Sequence, residues 1–423
     1  MSAFPRVSAP DSSLGLLSEG YEFISNRCRR LGTDAFRCRL MLAPAICVRG
    51  REAAEMFYTP GRFTRQGAVP ATALTLLQDR RSVQTLDGAA HHHRKELFLE
   101  CLSAESVGNL VGRFEREFRA AADGWQDEEG PVELLGELEA ILTRAACDWI
   151  GAPVTGEEAE DRTREFAAMI DGAGAIGPRN WRGQRLRRRT EQWAADRVRA
   201  ARSGAAVAAD TPLGRLAAYE DASGERLDEA VAAVELLNLT RPVVAVARFM
   251  VFAALALHER PDRRAALTDG AAEESHAVDG ARQAFAQEVR RYYPFFPAVG
   301  GKVREPFEWR GRRFERDEWV LLDLYGTNHD ADAWDEPERF RPERFAHGGA
   351  CPHALVPQGG GPLREGHRCP GEDATLALLR SFLGLLVDAV RYEVPPQDLS
   401  VDLSRIPAEP ASRFRIADVR LIG

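Results

Sequence analysis

The sequence predicts a mainly α protein with a minor β part, of the α+β class, forming one integrated unit over residues 1–423. Three observations point there. From about 91 to 290 apolar residues recur at helical spacing, as in Leu134, Leu135, Leu138, Ile141 and Leu142. Two stretches, about 35–60 and 295–345, carry short apolar runs punctuated by Gly and Pro. Strands and helices do not alternate regularly, which argues against a doubly wound nucleotide-binding sheet.

Each element follows from its own signal. Residues 35–58 read as strands, with Ile46-Cys47-Val48 running into a turn at Gly50. Asp210 to Pro212 breaks one helical stretch from the next. Residues 226–259 form a long helical pattern, and Pro242 inside it removes a backbone N–H and predicts a kink. After Pro294 the texture changes to short runs such as Trp319-Val320-Leu321-Leu322. A Gly-rich stretch from 357 leads into a final helix, about 371–391, followed by strand-like ends.

Composition narrows the class. Of 423 residues, 44 % are hydrophobic and 28 % charged, the balance of a globular chain that can enclose a large cofactor. The formal charge of −8 argues against nucleic acid as the main partner. The seven cysteines, Cys28, Cys38, Cys47, Cys101, Cys147, Cys351 and Cys369, show neither paired metal spacing nor a disulfide framework. Met1 to Cys28 lacks a signal-peptide pattern, and no uninterrupted apolar run reaches spanning length. The expectation is a cytoplasmic protein in a reducing compartment, with no membrane span.

One cysteine stands apart. Pro357-Gln358-Gly359-Gly360-Gly361 leads to Gly366-His367-Arg368-Cys369-Pro370-Gly371, and a helix begins at Glu372. The dipole of that helix and the neighbouring cations both favour a thiolate. The glycines let backbone approach something large and flat. Such a thiolate is a nucleophile or a metal ligand; the plain alternative is a buried structural thiol. Upstream, Glu288 and Arg291 share a helix face at i, i+3. Between them and the cysteine lies Phe340-Arg341-Pro342-Glu343-Arg344-Phe345.

Taken in that order, these motifs resemble the cytochrome P450 superfamily. The resemblance implies that Cys369 is the axial ligand of a haem iron, and thiolate ligation favours O–O cleavage. It implies that Glu288, Arg291 and Arg344 form a buried charge network bracing the cysteine loop. His91 and Lys95 would face the haem propionates, with Arg65 and His367 as further partners. The run His91-His92-His93 is not a metal site by itself, since consecutive helical residues point about 100° apart. His92 is expected to face solvent.

Most of that superfamily carries an acid-alcohol pair in the long central helix. Here the stretch reads Asn238-Leu239-Thr240-Arg241-Pro242-Val243-Val244-Ala245. A guanidinium in an apolar pocket is costly unless an anion meets it. That anion is either a protein carboxylate such as Glu235 or the carboxylate of a substrate. The Arg241-Pro242 pair resembles the fatty-acid peroxygenase branch, which includes peroxide-using hydroxylases and olefin-forming decarboxylases. So do Arg62 to Gln66, Val83 to Gly88, His91 to Lys95, Gly177 to Trp181, Glu288 to Pro297 and Leu321 to Asp330.

This resemblance implies an enzyme that uses haem b and hydrogen peroxide, with no obligatory redox partner, to hydroxylate a carboxylic acid at the α or β carbon. Arg241 and Pro242 would be catalytic. The carboxylate paired to Arg241 would act as acid and base in peroxide cleavage. Gln84 stands where hydroxylating members have Gln and decarboxylating ones have His. Two departures bear on the substrate. Gln78, followed by Asp79, Arg80 and Arg81, replaces an expected hydrophobic wall, and Phe296 beside Phe295 adds a ring to the expected acyl cavity. Decarboxylation to an alkene, dioxygen-dependent oxidation fed by ferredoxin, and non-catalytic haem binding are the competing readings.

Overall fold

A computed structural model describes residues 4–79, 81–268, 275–346 and 353–422. Arg80 and Cys351 lie outside them. The helices are α1 (Ser13–Glu19), α2 (Phe23–Leu31), α3 (Arg51–Tyr58), α4 (Ala71–Leu77), α5 (Gly88–Cys101), α6 (Ala104–Trp125), α7 (Leu134–Trp149) and α8 (Gly156–Gly172). They continue with α9 (Pro178–Arg202), α10 (Pro212–Ala218), α11 (Glu229–Glu259), α12 (Arg264–Leu267), α13 (Ser275–Tyr292), α14 (Leu324–Asn328) and α15 (Glu372–Gly384). The strands are β1 (Ala35–Leu40), β2 (Ala43–Val48), β3 (Phe63–Thr64), β4 (Val132–Glu133), β5 (Ala298–Val303), β6 (Phe307–Trp309), β7 (Arg312–Phe314), β8 (Trp319–Asp323), β9 (Val390–Glu393) and β10 (Arg415–Leu421).

The protein is mainly helical with a smaller sheet part. The largest sheet has the order β1-β2-β8-β5-β3. Within it β2 and β8 run parallel, with Ile46 opposite Val320, and the other pairs are antiparallel. Parallel pairing of strands so far apart in sequence needs a long crossover, and the helical region supplies it. The helical core is built by α6, α7, α8, α9 and α15 packed with α11. Its logic is visible in α7, where Leu134, Leu135, Leu138, Ile141 and Leu142 are all fully buried on one face.

Helix α11 is the spine. By length and composition it could cross a membrane, yet 89 % of its most apolar window is buried inside the protein. Pro242 lies within one unbroken helix from Glu229 to Glu259.

Residues 51–58 correct the expectation of a strand. They form α3, because Ala53, Ala54, Phe57 and Tyr58 recur at i, i+1, i+4 and i+5 and bury one face against the large sheet. Gly50, at φ 93°, makes the turn that ends β2 and starts this helix. The last core helix runs as expected: α15 ends at Gly384 and continues directly as a π-helix, Leu385–Ala389.

Candidate active site

Cys369 lies just ahead of α15, and its own N–H donates to the Gln358 carbonyl at 3.2 Å. Burial pushes the Cys369 thiol above its ordinary range, while the Gly371 N–H, Arg290 and Lys95 pull the other way. Gln358 reaches the sulfur from the side, with Nε2 at 3.8 Å from Sγ. Arg290 donates to Gln358 Oε1 at 3.0 Å and to Glu372 Oε1 at 2.5 Å. Sequence reading missed Arg290, Gln358 and Glu372. The available signal was the position of Arg290 beside Glu288 and of Gln358 at the head of the glycine run. At Gly360 an added Cβ would stand 3.0 Å from the Tyr58 ring, so only glycine lets the loop lie this close to α3.

The structure brings Glu288, Arg291 and Arg344 together. Arg291 is held bidentately by Glu288, at 2.7 and 2.8 Å, and both side chains are fully buried. Arg344 Nε approaches Glu288 Oε1 at 3.3 Å. Arg291 also donates to the carbonyls of Asn328, Pro337 and Arg339. Asn328 Oδ1 in turn accepts from the Val356 N–H at 2.8 Å, at the start of the cysteine loop. A buried pair with this many acceptors around it keeps its charges satisfied.

A second group of basic side chains gathers beside the loop. Lys95 donates to the carbonyls of Gly366 and Arg368, and burial lowers its pKa to about 8. The rings of His91 and His367 lie 4.2 Å apart. Burial, then the neighbouring His367 and Lys95, press the His91 pKa down to about 3, so it stays neutral. Arg65 donates to the Gly300 carbonyl at 2.5 Å, and Asp87 lies 4.0 Å from His367. His92 and His93 are exposed and reach backbone carbonyls instead. No group of three or more metal-ligating side chains occurs among the described residues.

From Val231 to Leu257 every residue of α11 is buried except Pro242, which is exposed, and Ala245, which is half-buried. These two stand one turn apart on one face, so a core helix borders open space there. Arg241, beside them, is 4 % exposed. Its Nη1 donates to the Leu76 carbonyl at 3.0 Å, and its Nη2 donates to the Leu77 carbonyl and to Asn238 Oδ1, the latter at 3.2 Å. Burial, then the nearby Arg187, lowers its pKa to about 9.

Arg241 makes no salt bridge among the described residues. Glu235 does not serve it: that carboxylate accepts from Arg94 at 2.9 Å, the Val83 N–H at 2.8 Å and Asn238 Nδ2 at 3.0 Å. Asn238 Nδ2 also reaches Gln84 Oε1 at 3.3 Å, tying Gln84 to the Arg241 turn. Asn238 and Arg187 are further residues that the sequence reading left without a role.

Gln78 caps the end of α4. Its carbonyl accepts from Arg187 at 2.7 Å, and its Oε1 is buried without a partner among the described residues. Phe295 stacks on Phe249, with centroids 4.2 Å apart and planes 14° apart. Phe296, expected to add a second ring to the cavity, is 41 % exposed and meets Phe295 edge-on.

These residues fit an iron porphyrin. Cys369 would offer the sulfur ligand, the Arg65, His91, Lys95 and His367 group would offer partners for propionates, and α11 leaves an open face. Residues 282–405 match the Cytochrome P450 family. Over 123 residues the chain is 33 % identical to Cytochrome P450 4A7 of Oryctolagus cuniculus and 32 % identical to the taurochenodeoxycholic 6 alpha-hydroxylase of Sus scrofa. The matched stretch is 29 % of this chain and spans only 22 % of the length of either curated relative.

Solved structures are similar over the whole chain. Cytochrome P450SP alpha (CYP152B1), in complex with (R)-ibuprophen, is 42 % identical, with a TM-score of 0.93, covering 98 % of this chain and 100 % of that one. Cytochrome P450EX alpha (CYP152N1) with myristic acid is 37 % identical, with a TM-score of 0.94 and 100 % of both chains covered. A variant of cytochrome P450 OleT in complex with arachidonic acid is 31 % identical, with a TM-score of 0.94, covering 100 % of this chain and 99 % of that one. On likeness of this extent, laid over a buried arginine and a cysteine at a helix start, the chain belongs to the cytochrome P450 family, in its branch of haem-thiolate fatty-acid peroxygenases.

Proposed function

We propose that this protein is a hydrogen-peroxide-dependent peroxygenase that hydroxylates a carboxylic acid at the α or β carbon. The observation that carries the reading is Arg241: a buried guanidinium with no carboxylate of its own among the described residues. A charge in that setting calls for an anion, and a substrate carboxylate meets it with charge-assisted hydrogen bonds. Haem b, held through Cys369, supplies the iron centre at which hydrogen peroxide is activated.

The chain's own residues do the rest. Arg241 grips the acid by its head, so the α and β carbons come nearest the reacting centre, and regiochemistry follows from anchoring. The gripped carboxylate can take a proton from one peroxide oxygen and return it to the other, replacing the acid-alcohol pair that α11 lacks beside Arg241. Pro242, on the open face next to Arg241, carries no N–H to compete for that carboxylate. Gln84 is a neutral amide and cannot shuttle a proton as His does, which favours hydroxylation over loss of the carboxylate. The overall change, R–H + H2O2 → R–OH + H2O, balances without outside electrons. No redox partner is needed.

The test is incubation of haem-loaded protein with hydrogen peroxide and free acids from short to long, aryl-substituted ones included, with no reductase present. Hydroxy acids by mass spectrometry are the expected products. Terminal alkenes as the main product would assign decarboxylation instead. No product until a reductase and dioxygen are supplied would overturn the peroxygenase reading.

A further inference from the structure

Helix α9 carries nine arginines against one glutamate and one aspartate, in a chain whose formal charge is −8. The two acids do not neutralise it evenly. Glu191 pairs with the buried Arg187 at 2.6 Å, and Asp196 pairs with Arg199 at 2.7 Å towards the C-terminal end. Arg182, Arg185, Arg188 and Arg189 are all exposed and make no salt bridge among the described residues. At 100° per residue these four and Trp181 fall within one arc of about 120°. Gly183, Arg187 and Thr190, on the opposite arc, are buried. The fold therefore turns a basic stripe to solvent, with no acid paired to it among the described residues.

The N-terminal end of the stripe is apolar. Trp181 is 69 % exposed and Ile176, just before the helix, 63 %. Nearby, one short segment links this corner to the turn that follows α1: the Tyr21 N–H donates to the Leu403 carbonyl at 2.9 Å, and Arg179 donates to the Ile406 carbonyl at 3.0 Å. On α1, Leu14 and Leu17 are exposed at i, i+3 and no residue is buried.

We propose that this face docks the enzyme on an anionic lipid bilayer, with the arginines against the headgroups and Trp181 and Ile176 at the acyl boundary. Arginine on a polar face with Trp and aliphatic residues beside it is the pattern of an interfacial helix, and Trp settles at headgroup level. Nucleic acid would meet the arginines but offers no acyl phase to cover Ile176 and Leu14. The proposal goes beyond the reaction at Cys369 and stands whichever acid is oxidised there.

The holoenzyme is sedimented with vesicles of mixed phosphatidylglycerol and phosphatidylcholine, with pure phosphatidylcholine vesicles, and with the mixed vesicles plus duplex DNA. Salt-sensitive pelleting with the mixed vesicles only is expected. Each arginine near an anionic surface contributes a factor of about five, so Arg185→Gln with Arg188→Gln lowers partitioning about 30-fold. Trp181→Ala also weakens partitioning but keeps the salt dependence. All three substitutions leave peroxide-driven turnover of short, soluble acids unchanged. Equal pelleting with the neutral vesicles, no pelleting at all, or unchanged partitioning in the variants overturns the proposal. Displacement by DNA with no effect of Trp181→Ala assigns the patch to nucleic acid instead.

Discussion

Asn238 and Arg241 stand one turn apart on α11, and the arginine donates through Nη2 to the asparagine Oδ1 at 3.2 Å. The Asn238 amide nitrogen turns the other way, to Glu235 at 3.0 Å and Gln84 at 3.3 Å. One amide thus separates a buried cation from a buried anion and satisfies both. That separation leaves Arg241 charged and without a carboxylate partner among the described residues.

On the proposed anchoring, Asn238 would be a positioning residue for the head of the acid. Asn238→Leu removes an acceptor from Arg241 and a donor from Glu235, each worth about 1–3 kcal/mol when buried. We expect KM for the acid to rise about ten-fold or more, while kcat at saturation falls less and the haem spectrum is kept. Steady-state kinetics with spectral titration by the acid separate that result from simple misfolding, in which both parameters and the spectrum would collapse.

Arg241→Ala is the direct test of anchoring. Losing one partner of a buried charge pair costs about 2–5 kcal/mol, so acid binding should weaken at least about 30-fold. Turnover on acids is expected to disappear while the carbon-monoxide-bound Soret band stays in place. Full activity in this variant would sink the anchoring idea.

Glu288→Gln leaves Arg291 buried without its bidentate carboxylate, and Arg344 loses the same anion. Breaking a buried pair from one side costs about 3–5 kcal/mol. The expected result is a clear fall in thermal midpoint with loss of haem from the cysteine loop. An unchanged midpoint would show that the network does not brace that loop.

Asp323 sets a pH dependence remote from the haem site. Burial raises its pKa to about 6, against hydrogen bonds from Ser25 at 2.7 Å and the Gly326 N–H at 2.7 Å. A raised carboxyl pKa means the folded state keeps its proton longer than the unfolded state. The associated stability is present below about pH 4 and is lost as pH rises to about 6, by about 3 kcal/mol in all. Asp323→Asn keeps an acceptor for the Gly326 N–H and cannot ionise. Urea unfolding at pH 4.5 and 7.5 should show wild type losing stability relative to this variant at the higher pH; a constant difference would refute the assignment.

Much of the site was legible because its signals are local. Cys369 before a helix, Glu288 and Arg291 at i, i+3, and an arginine inside an apolar helix are all readable from spacing. The misread elements were those where spacing is ambiguous. Residues 51–58 form a short apolar run, which periodicity alone cannot assign to strand or helix. Phe295 and Phe296 are chemically identical, and sequence alone does not say that the first stacks on Phe249 while the second is 41 % exposed.

Sequence by itself determined which groups exist and what each requires: a thiol ahead of a helix, glycines that admit close approach, and a guanidinium in apolar surroundings that demands an anion. Tertiary structure decided who answers. Arg94 arrives from α5 and takes Glu235, Arg241 turns to the end of α4, and Arg290 reaches Gln358 beside the sulfur. Those partners come from distant segments, and a buried charge pairs with whichever group the packed core carries into reach. Coulombic and hydrogen-bond demands are written in residue types, but they are met across space.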